Sequence, residues 1–497
     1  MIDAADVADA AGAIGVADRL NPPDFPTVHA PLNWWSQHRP ETLAIDDGQQ
    51  RLSFAELAQR VAAGAAGLER VGSAAIAWAD DGSGPLAQLV GFLAIVASGR
   101  SAAVSDPDWP PQVRDQVRQR VSCLGRASAR PSAPGAESPF YIGFTSGSTG
   151  LPKGFERSHR SWTSSFSVCL DTFGPAASTP VLAPGRLSHS LFLFGALLGL
   201  WTGAGCRLQP RFSAAAALET LRCGDAGSLV AVPSQLLLML ESARRQRAGP
   251  IDRTRLILIG GAPWPRALTP QLQALFPEAR IVEFYGASET SFIAWADSDP
   301  QLPDTAVGRP FANVQVRIAG ADAVEAGAPD GCGLIYVRSP MLFHDYIPLG
   351  STADDSVALR EGDWLSVRDV GHIDAAGLLH LLGRQQRMLL VQGKNLFPEE
   401  VESVLAAHPA VEAASVIGVP HPVRGMRPVA LLALAHEVGA EALSAWCRTR
   451  LARYKIPRRF YACAEWPRTP GGKTDHPALA RRLAAEAAPA EHGVRRL

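Results

Sequence analysis

Phe140-Tyr141-Ile142-Gly143-Phe144-Thr145-Ser146-Gly147-Ser148-Thr149-Gly150-Leu151-Pro152-Lys153-Gly154 passes from an apolar run with strand character into a loop of glycines and hydroxyls that ends on a lysine. Gly147 and Gly150 let backbone amides converge on an anion, and Thr145, Ser146, Ser148 and Thr149 add hydroxyl donors, so the loop has the composition of a phosphate cradle. A Walker A loop places glycine immediately before its lysine; Pro152 stands there, which disfavours a P-loop NTPase. A flexible Ser/Gly linker is the bland alternative, disfavoured by the strand in front and the helical pattern behind.

Outward from this loop, short apolar runs at 74–78, 102–104, 228–232, 256–259 and 280–284 alternate with helical segments, the first over 52–71. Such alternation predicts parallel sheets covered by helices, with ligands at the carboxyl ends of the strands. Residues 125–138, rich in Ala, Ser, Pro and Arg, read as an exposed loop. After Gly383-Arg384 the pattern becomes a small α+β unit, with a helix over 398–408, a strand over 413–419 and a helix over 440–454. The expected fold is α/β: a large N-terminal domain of helix-covered sheets with a β subdomain over 1–384, a hinge at 385–387, and a small α+β C-terminal domain over 388–497. From Ala484 onward no periodic apolar face is present, which predicts a frayed tail.

Four lysines stand against 43 arginines, and two of them, Lys153 and Lys473, follow glycine-containing loops, the second in Pro467-Arg468-Thr469-Pro470-Gly471-Gly472-Lys473. Arginine serves a solvated surface as well as lysine does, but a planar fork does not replace a compact ammonium beside a phosphate. The 497 residues exceed one ordinary core, and 47% hydrophobic content is enough to bury two or three. A formal net charge of −1 argues against nucleic acid as a partner. The seven cysteines are scattered without CxxC or metal-ligand spacing, which fits a reducing cytoplasm. The acidic N-terminus lacks the features of a signal peptide, and the longest apolar stretch, 191–201, is too short to span a bilayer, so no membrane insertion is expected.

The segment TSGSTGLPKG at 145–154 resembles the signature loop of the adenylate-forming superfamily, which holds acyl-CoA synthetases, peptide-synthetase adenylation domains and luciferases. The resemblance extends, in the family's order, to Tyr285-Gly286-Ala287-Ser288-Glu289-Thr290, to Asp369-Val370-Gly371 through Gly383-Arg384, to the run Gly393–Glu402, and to the Lys473 motif. It implies that Thr145, Ser146, Gly147, Ser148, Thr149, Gly150 and Lys153 bind the phosphates of ATP. Glu289 would hold Mg²⁺ with Thr145 or Thr149 assisting, an ion that takes one or two carboxylates and otherwise phosphate and water oxygens. Adenine would lie between the Gly261-Ala262-Pro263 turn and Tyr285-Gly286, and Thr290 would meet the AMP phosphate. Asp369 would accept the ribose hydroxyls, backed by Arg384. Lys473 would serve as the catalytic ammonium, and a mobile small domain would exchange its loop for the thiol-step loop around Gly393.

Similar enzymes carry Thr-Gly before the ribose Asp, where this chain has Val367-Arg368, an Asp or Lys hinge, where it has Arg387, and a Glu, where it has Leu334. Arg387 is either the hinge or a solvated linker residue. The acid-pocket stretch 185–195 contains His189, Phe192 and Phe194 and no carboxylate, so a substrate ammonium would be left unpaired. That favours a fatty or aromatic acid over an amino acid, with His189 either a gate and carboxylate contact or a structural histidine. The expected reaction makes acyl-AMP and pyrophosphate, then a thioester with CoA or a phosphopantetheinyl carrier protein. A non-catalytic nucleotide-binding relative is the alternative from a different class. The basic run 448–459 either meets such a partner or is a solvated helix end.

Overall fold

The computed structural model describes residues 23–497 apart from 72–73, 81, 83, 128–133, 146–151, 210, 320–330, 350–357, 392–393, 422–424, 470–472 and 486–492. Its largest sheet is built on parallel strands Leu43–Asp46, Cys206–Leu208, Val181–Ala183, Ser228–Ala231, Leu256–Ile259 and Arg280–Ala287, in that spatial order. Alternate residues of these strands feed two separate cores, as the two-residue strand period requires. Val230, Leu256, Leu258 and Val282 pack on one face with the helix Ser190–Trp201; Leu229, Ala231, Ile257, Ile259 and Ile281 pack on the other with Ala214–Cys223 and Pro233–Gln246. Burial on both faces explains why Leu256–Ile259 is wholly apolar.

Beyond Arg280–Ala287 the same sheet turns antiparallel through Ser291–Asp297, Ala306–Pro310, Leu379–Arg384, Asp369–Ile373 and Gly333–Arg338. The β subdomain is thus a hydrogen-bonded continuation of the parallel strands. A second sheet carries Ile76–Ala79, Ser101–Val104 and Pro139–Thr145 in parallel, with Lys153–Ser158 antiparallel on its edge. Here the sequence reading needs correction. The glycine-rich loop joins two antiparallel strands, and the helix His159–Phe173 starts only after the second, where Ser158 accepts from the Ser161 amide.

The turn Gln385–Arg387 leads from the large sheet to a smaller one centred on Gly425–Leu434, flanked by Val411–His421 and Phe460–Cys463. The helix Pro398–Ala406 lies where a helix was expected, whereas the one expected over 440–454 ends at Arg448. Leu451, Tyr454 and Ile456 instead fold back into the small core. The tail also departs from expectation: Val494–Arg496 pairs with Phe460–Cys463, and the Leu497 amide reaches the Phe460 carbonyl at 2.9 Å.

Candidate active site

The strand Arg280–Ala287 reverses through Ser288–Thr290 into Ser291–Asp297, which puts Glu289 in the connecting turn of a hairpin. Gly286 makes the reversal possible, since a Cβ there would stand 1.9 Å from the Ser291 carbonyl oxygen. Thr290 is buried; its Oγ1 accepts from the Ala287 amide at 3.0 Å and donates to the Ser291 carbonyl at 3.3 Å. A phosphate contact by that hydroxyl therefore requires its O–H to leave Ser291. Glu289 Oε1 accepts from the Tyr346 hydroxyl at 2.8 Å, and burial together with the Glu289 charge holds that phenol above its ordinary pKa. Tyr346 is delivered by a segment laced to the strand Lys153–Ser158. The His344 amide meets the Glu156 carbonyl and the Ile347 amide meets that of Gly154, each at 2.9 Å, while the Phe343 amide meets the Glu289 carbonyl at 2.8 Å.

Sequence reasoning missed Arg157. It is 2% exposed, and its guanidinium donates from Nη1 to the Ser288 carbonyl (2.6 Å), from Nη2 to Ser291 Oγ (2.6 Å) and the Met341 carbonyl (2.7 Å), and from Nε to Ser161 Oγ (3.1 Å). Burial lowers its pKa to about 10 against the pull of Tyr141 and Glu289, so it is charged at neutral pH. A signal was available: Phe155 and Arg157 share one face of a strand, so an arginine stands at an inward position.

Asp369 and Arg384 are direct cross-strand partners, with Arg384 Nε 3.3 Å from Asp369 Oδ1. The Tyr285 hydroxyl donates to Oδ2 at 2.5 Å. Asp369 is buried while the Arg384 side chain is largely exposed. Burial raises the Asp369 pKa, opposed first by Arg384 and then by the Tyr285 bond. Three residues expected around the nucleoside are thus in contact. Arg368 adopts φ 65° where similar enzymes carry glycine, a conformation that costs about 1–2 kcal/mol for a side-chain-bearing residue. Its amide bonds Ser366 Oγ at 3.1 Å, and Gln385 grips it twice, amide to carbonyl at 2.9 Å and Oε1 to Nη1 at 3.3 Å.

Thr145 and Lys153 pair across the base of the glycine-rich loop; Ser146, Gly147, Ser148, Thr149 and Gly150 lie outside the described residues. The exposed turn Gly261-Ala262-Pro263 follows a parallel strand adjacent to that of Tyr285, so both emerge at one edge. His189 precedes the helix Ser190–Trp201, whose first residue shares a hydrogen bond at 3.3 Å with the Tyr141 hydroxyl. The His189 and Phe192 rings are 6.2 Å apart, and Phe192 lies against Gly185. Phe194, two residues on, points elsewhere: it stacks on Phe166 at 5.2 Å and meets Phe292 edge-on at 5.1 Å. The structure brings His189 and Phe192 together and puts Phe194 in the aromatic core.

Lys473 belongs to a loop closed by a bridge between Arg468 and Thr474, with the Thr469 amide on the Lys473 carbonyl at 2.7 Å. Its side chain is exposed, although neighbouring atoms crowd the ammonium. Burial and then Arg384 hold the ammonium below the usual lysine range, while Glu289 and Asp369 pull it back, so it stands within electrostatic reach of both carboxylates. The other two lysines have partners within the small domain: Lys455 bonds Glu400 at 2.5 Å, and Lys394 lies over the Tyr454 ring.

Between the domains, Gly383 passes beneath Glu399 at φ 151°, where a Cβ would come within 2.4 Å of Glu399 Oε2. Leu334, in the place of a Glu, packs with Tyr336, Val370 and Phe397, an apolar contact across the turn. Arg387 bonds Glu399 at 2.9 Å and Glu402 at 2.5 and 3.1 Å, and so is held by the helix Pro398–Ala406. Gly393 lies outside the described residues.

The sequence model of the AMP-binding enzyme family matches residues 93–347, and that of its C-terminal domain matches 400–473. The chain belongs to the AMP-binding enzyme family. An uncharacterised acyl-CoA ligase of Bacillus subtilis, YhfT, is 39% identical over 338 residues, 68% of this chain and 67% of its own length. The 2-succinylbenzoate–CoA ligase of Geobacillus kaustophilus is 28% identical over 89% of this chain and 96% of its own. The solved o-succinylbenzoate CoA synthetase MenE of Bacillus subtilis, in complex with its acyl-adenylate intermediate, shares the fold at a TM-score of 0.77. It is 24% identical, over 94% of this chain and 99% of that one. This AMP-binding enzyme is an AMP-forming acid–thiol ligase of the α/β architecture read from its sequence.

The donor set fits a hydrated divalent ion. Among the described residues no three His, Cys, Asp or Glu converge; an ion at Glu289 would have that one carboxylate and would take the rest of its shell from water and phosphate, as Mg²⁺ can. Among the described residues no helix is long and apolar enough to cross a membrane.

Proposed function

We propose that this enzyme activates a fatty or aromatic carboxylic acid with ATP, forming acyl-AMP and pyrophosphate, and then transfers the acyl group to the thiol of CoA. The observation that carries the reading is the set of groups held along one sheet of an AMP-binding enzyme, Glu289 by Tyr346 and Asp369 by Tyr285 and Arg384, with the charge of Lys473 felt by both carboxylates. Asp369 accepts the ribose hydroxyls, with Arg384 and Tyr285 fixing its two oxygens. Glu289, aimed by Tyr346, is the protein ligand of Mg²⁺, which when bound neutralises charge on the triphosphate. Thr145, Lys153 and the loop between them receive the phosphates. A substrate carboxylate oxygen attacks the α-phosphorus and pyrophosphate leaves. Lys473 offsets the charge that gathers on the entering carboxylate and the α-phosphate, a preorganised ammonium in a cleft of reduced dielectric.

The choice of acid rests on the stretch around His189. It contains no carboxylate, and its one cation, Arg186, is paired with Asp108 at 2.7 Å and Asp106 at 3.4 Å. A substrate ammonium would find no counter-charge on that stretch, whereas an alkyl or aryl group would meet Phe192. For the second step the division at 385–387 lets the small domain, 388–497, rotate on 1–384 and replace the Lys473 loop by the loop at Gly393. Seven free cysteines and the use of ATP and CoA suit a cytoplasmic setting. The test is pyrophosphate release across fatty, aromatic and amino acids, followed by thioester assay with CoA and with a phosphopantetheinyl carrier protein. Fatty or aryl acids should give the release and CoA the thioester. Greater release with an amino acid, or a thioester on the carrier alone, would overturn the corresponding half of the reading.

A further inference from the structure

Arg157 sits where three segments meet. Its own strand, Lys153–Ser158, leaves the glycine-rich loop; Ser288 and Ser291 bracket Glu289; and Met341 begins the stretch that delivers Tyr346 to the Glu289 carboxylate. One guanidinium thus bonds the turn that bears the carboxylate and the stretch that bears the hydroxyl orienting it. Its four acceptors are neutral, two backbone carbonyls and two serine hydroxyls, and among the described contacts Glu289 acts on it through space without a hydrogen bond. Burying a cation without a contacting counter-charge costs several kcal/mol, and an apolar side chain of similar volume would fill the same space more cheaply. Cohesion alone therefore does not account for an arginine here. A planar fork supplies what an apolar group cannot, namely fixed directions toward several acceptors at once. It also leaves a positive charge near Glu289 that no contacting anion cancels.

We propose that Arg157 is a positioning residue for the metal-binding carboxylate: it fixes the Ser288–Ser291 turn and the approach of Tyr346, so that Glu289 faces the phosphates in a single orientation. The proposal rests on the assignment of Glu289 to Mg²⁺ made above. Arg157 touches neither nucleotide nor acid. Its loss should therefore spare AMP binding, which draws on Asp369, Arg384 and Tyr285 and on Thr290, held by its own bonds to Ala287 and Ser291, and should weaken only the part of ATP binding that requires the cation.

Calorimetric titration of the full-length protein with AMP, with ATP in EDTA and with ATP plus Mg²⁺ separates these contributions without relying on turnover. In R157K one ammonium cannot span the Ser288 carbonyl and the Ser291 hydroxyl, and in S291A one acceptor is gone while the arginine remains. Both variants should bind AMP within about twofold of the parent. R157K should lose roughly tenfold of the gain that Mg²⁺ confers on ATP, the weight of one charge-assisted hydrogen bond, and S291A a smaller part of it. The Mg²⁺ concentration for half-maximal ATP binding should rise in the same order. Unchanged Mg²⁺ dependence in both variants, or equal loss of AMP and ATP–Mg²⁺ binding, would overturn the proposal, the latter marking Arg157 as structural only. A parent protein that gains nothing from Mg²⁺ would sink the Glu289 assignment itself, and is told apart because it needs no variant. Thermal unfolding of each unliganded protein checks that the variants fold.

Discussion

The shelf of carboxylates in the large domain and the lysine loop of the small domain are built on opposite principles. On the shelf each carboxylate is held by side chains of other strands or segments: Tyr285 and Arg384 hold Asp369, and Tyr346 holds Glu289. Arg157 ties the strand after the glycine-rich loop to the same assembly. Among the described residues the lysine loop has a two-residue bridge, a backbone bond at its own base, and a Trp466 Nε1 bond to Thr474 Oγ1 at 3.1 Å. Groups that recognise a ligand benefit from being locked before it arrives. A group needed for one step of two benefits from riding on an element that can leave.

The difference can be broken first at the lysine. Lys473→Ala should slow acid-dependent pyrophosphate–ATP exchange by about 10²- to 10³-fold, the weight of a preorganised donor at a transition state, while AMP binding by the shelf is retained. Lys473→Arg should restore only part of the rate, since a fork does not occupy a point-charge site. A smaller loss is expected at the shelf. Asp369→Ala should weaken ATP binding by roughly 10- to 100-fold, as removal of a charged acceptor from two donors implies, and should weaken 2′-deoxy-ATP less. Because burial raises the Asp369 pKa, parent ATP affinity should fall on acidification at a higher pH than an ordinary carboxylate would produce.

The smallest effect concerns the rigidity of the large domain. His159, 1% exposed, takes the Val28 amide on Nδ1 at 3.1 Å, and burial lowers its pKa from 6.5 to about 3. Below pH 6.5 the unfolded chain binds a proton that the folded one refuses. Stability contributed by this site is therefore present above 6.5 and is lost as pH falls toward 3, by about 1.4 kcal/mol per pH unit within that window. Urea unfolding at pH 6.5 and 5.5 should show the loss, and His159→Gln should reduce the slope by about one proton. An unchanged slope would show that His159 charges freely.

What could be read from the sequence was the part carried by contiguous runs. Tyr285 to Thr290, Asp369 and Lys473 each sit in a short motif that resembles one of the family's, and the parallel strands announce themselves as apolar runs. What could not be read depends on direction or on distant pairing. Arg157 meets residues more than a hundred positions away, and Tyr346 reaches Glu289 across 57. Phe192 and Phe194 look equivalent in a string of apolar letters, yet the helix turns them to different sides. Lys153–Ser158, polar at four of its six positions, becomes a strand because Pro139–Thr145 offers it a partner. Val494–Arg496 is ordered in the same way by Phe460–Cys463.

The most direct measurement uses Lys473→Ala in the second half-reaction alone, with chemically prepared acyl-AMP and CoA supplied in place of acid and ATP. If the lysine loop serves one step and then gives way to the loop at Gly393, the variant should form thioester at close to the parent rate despite its loss of 10²- to 10³-fold or so in adenylate formation. An equal loss in both half-reactions would contradict the division between a fixed shelf and a departing lysine, and would make Lys473 a residue that supports the small domain throughout.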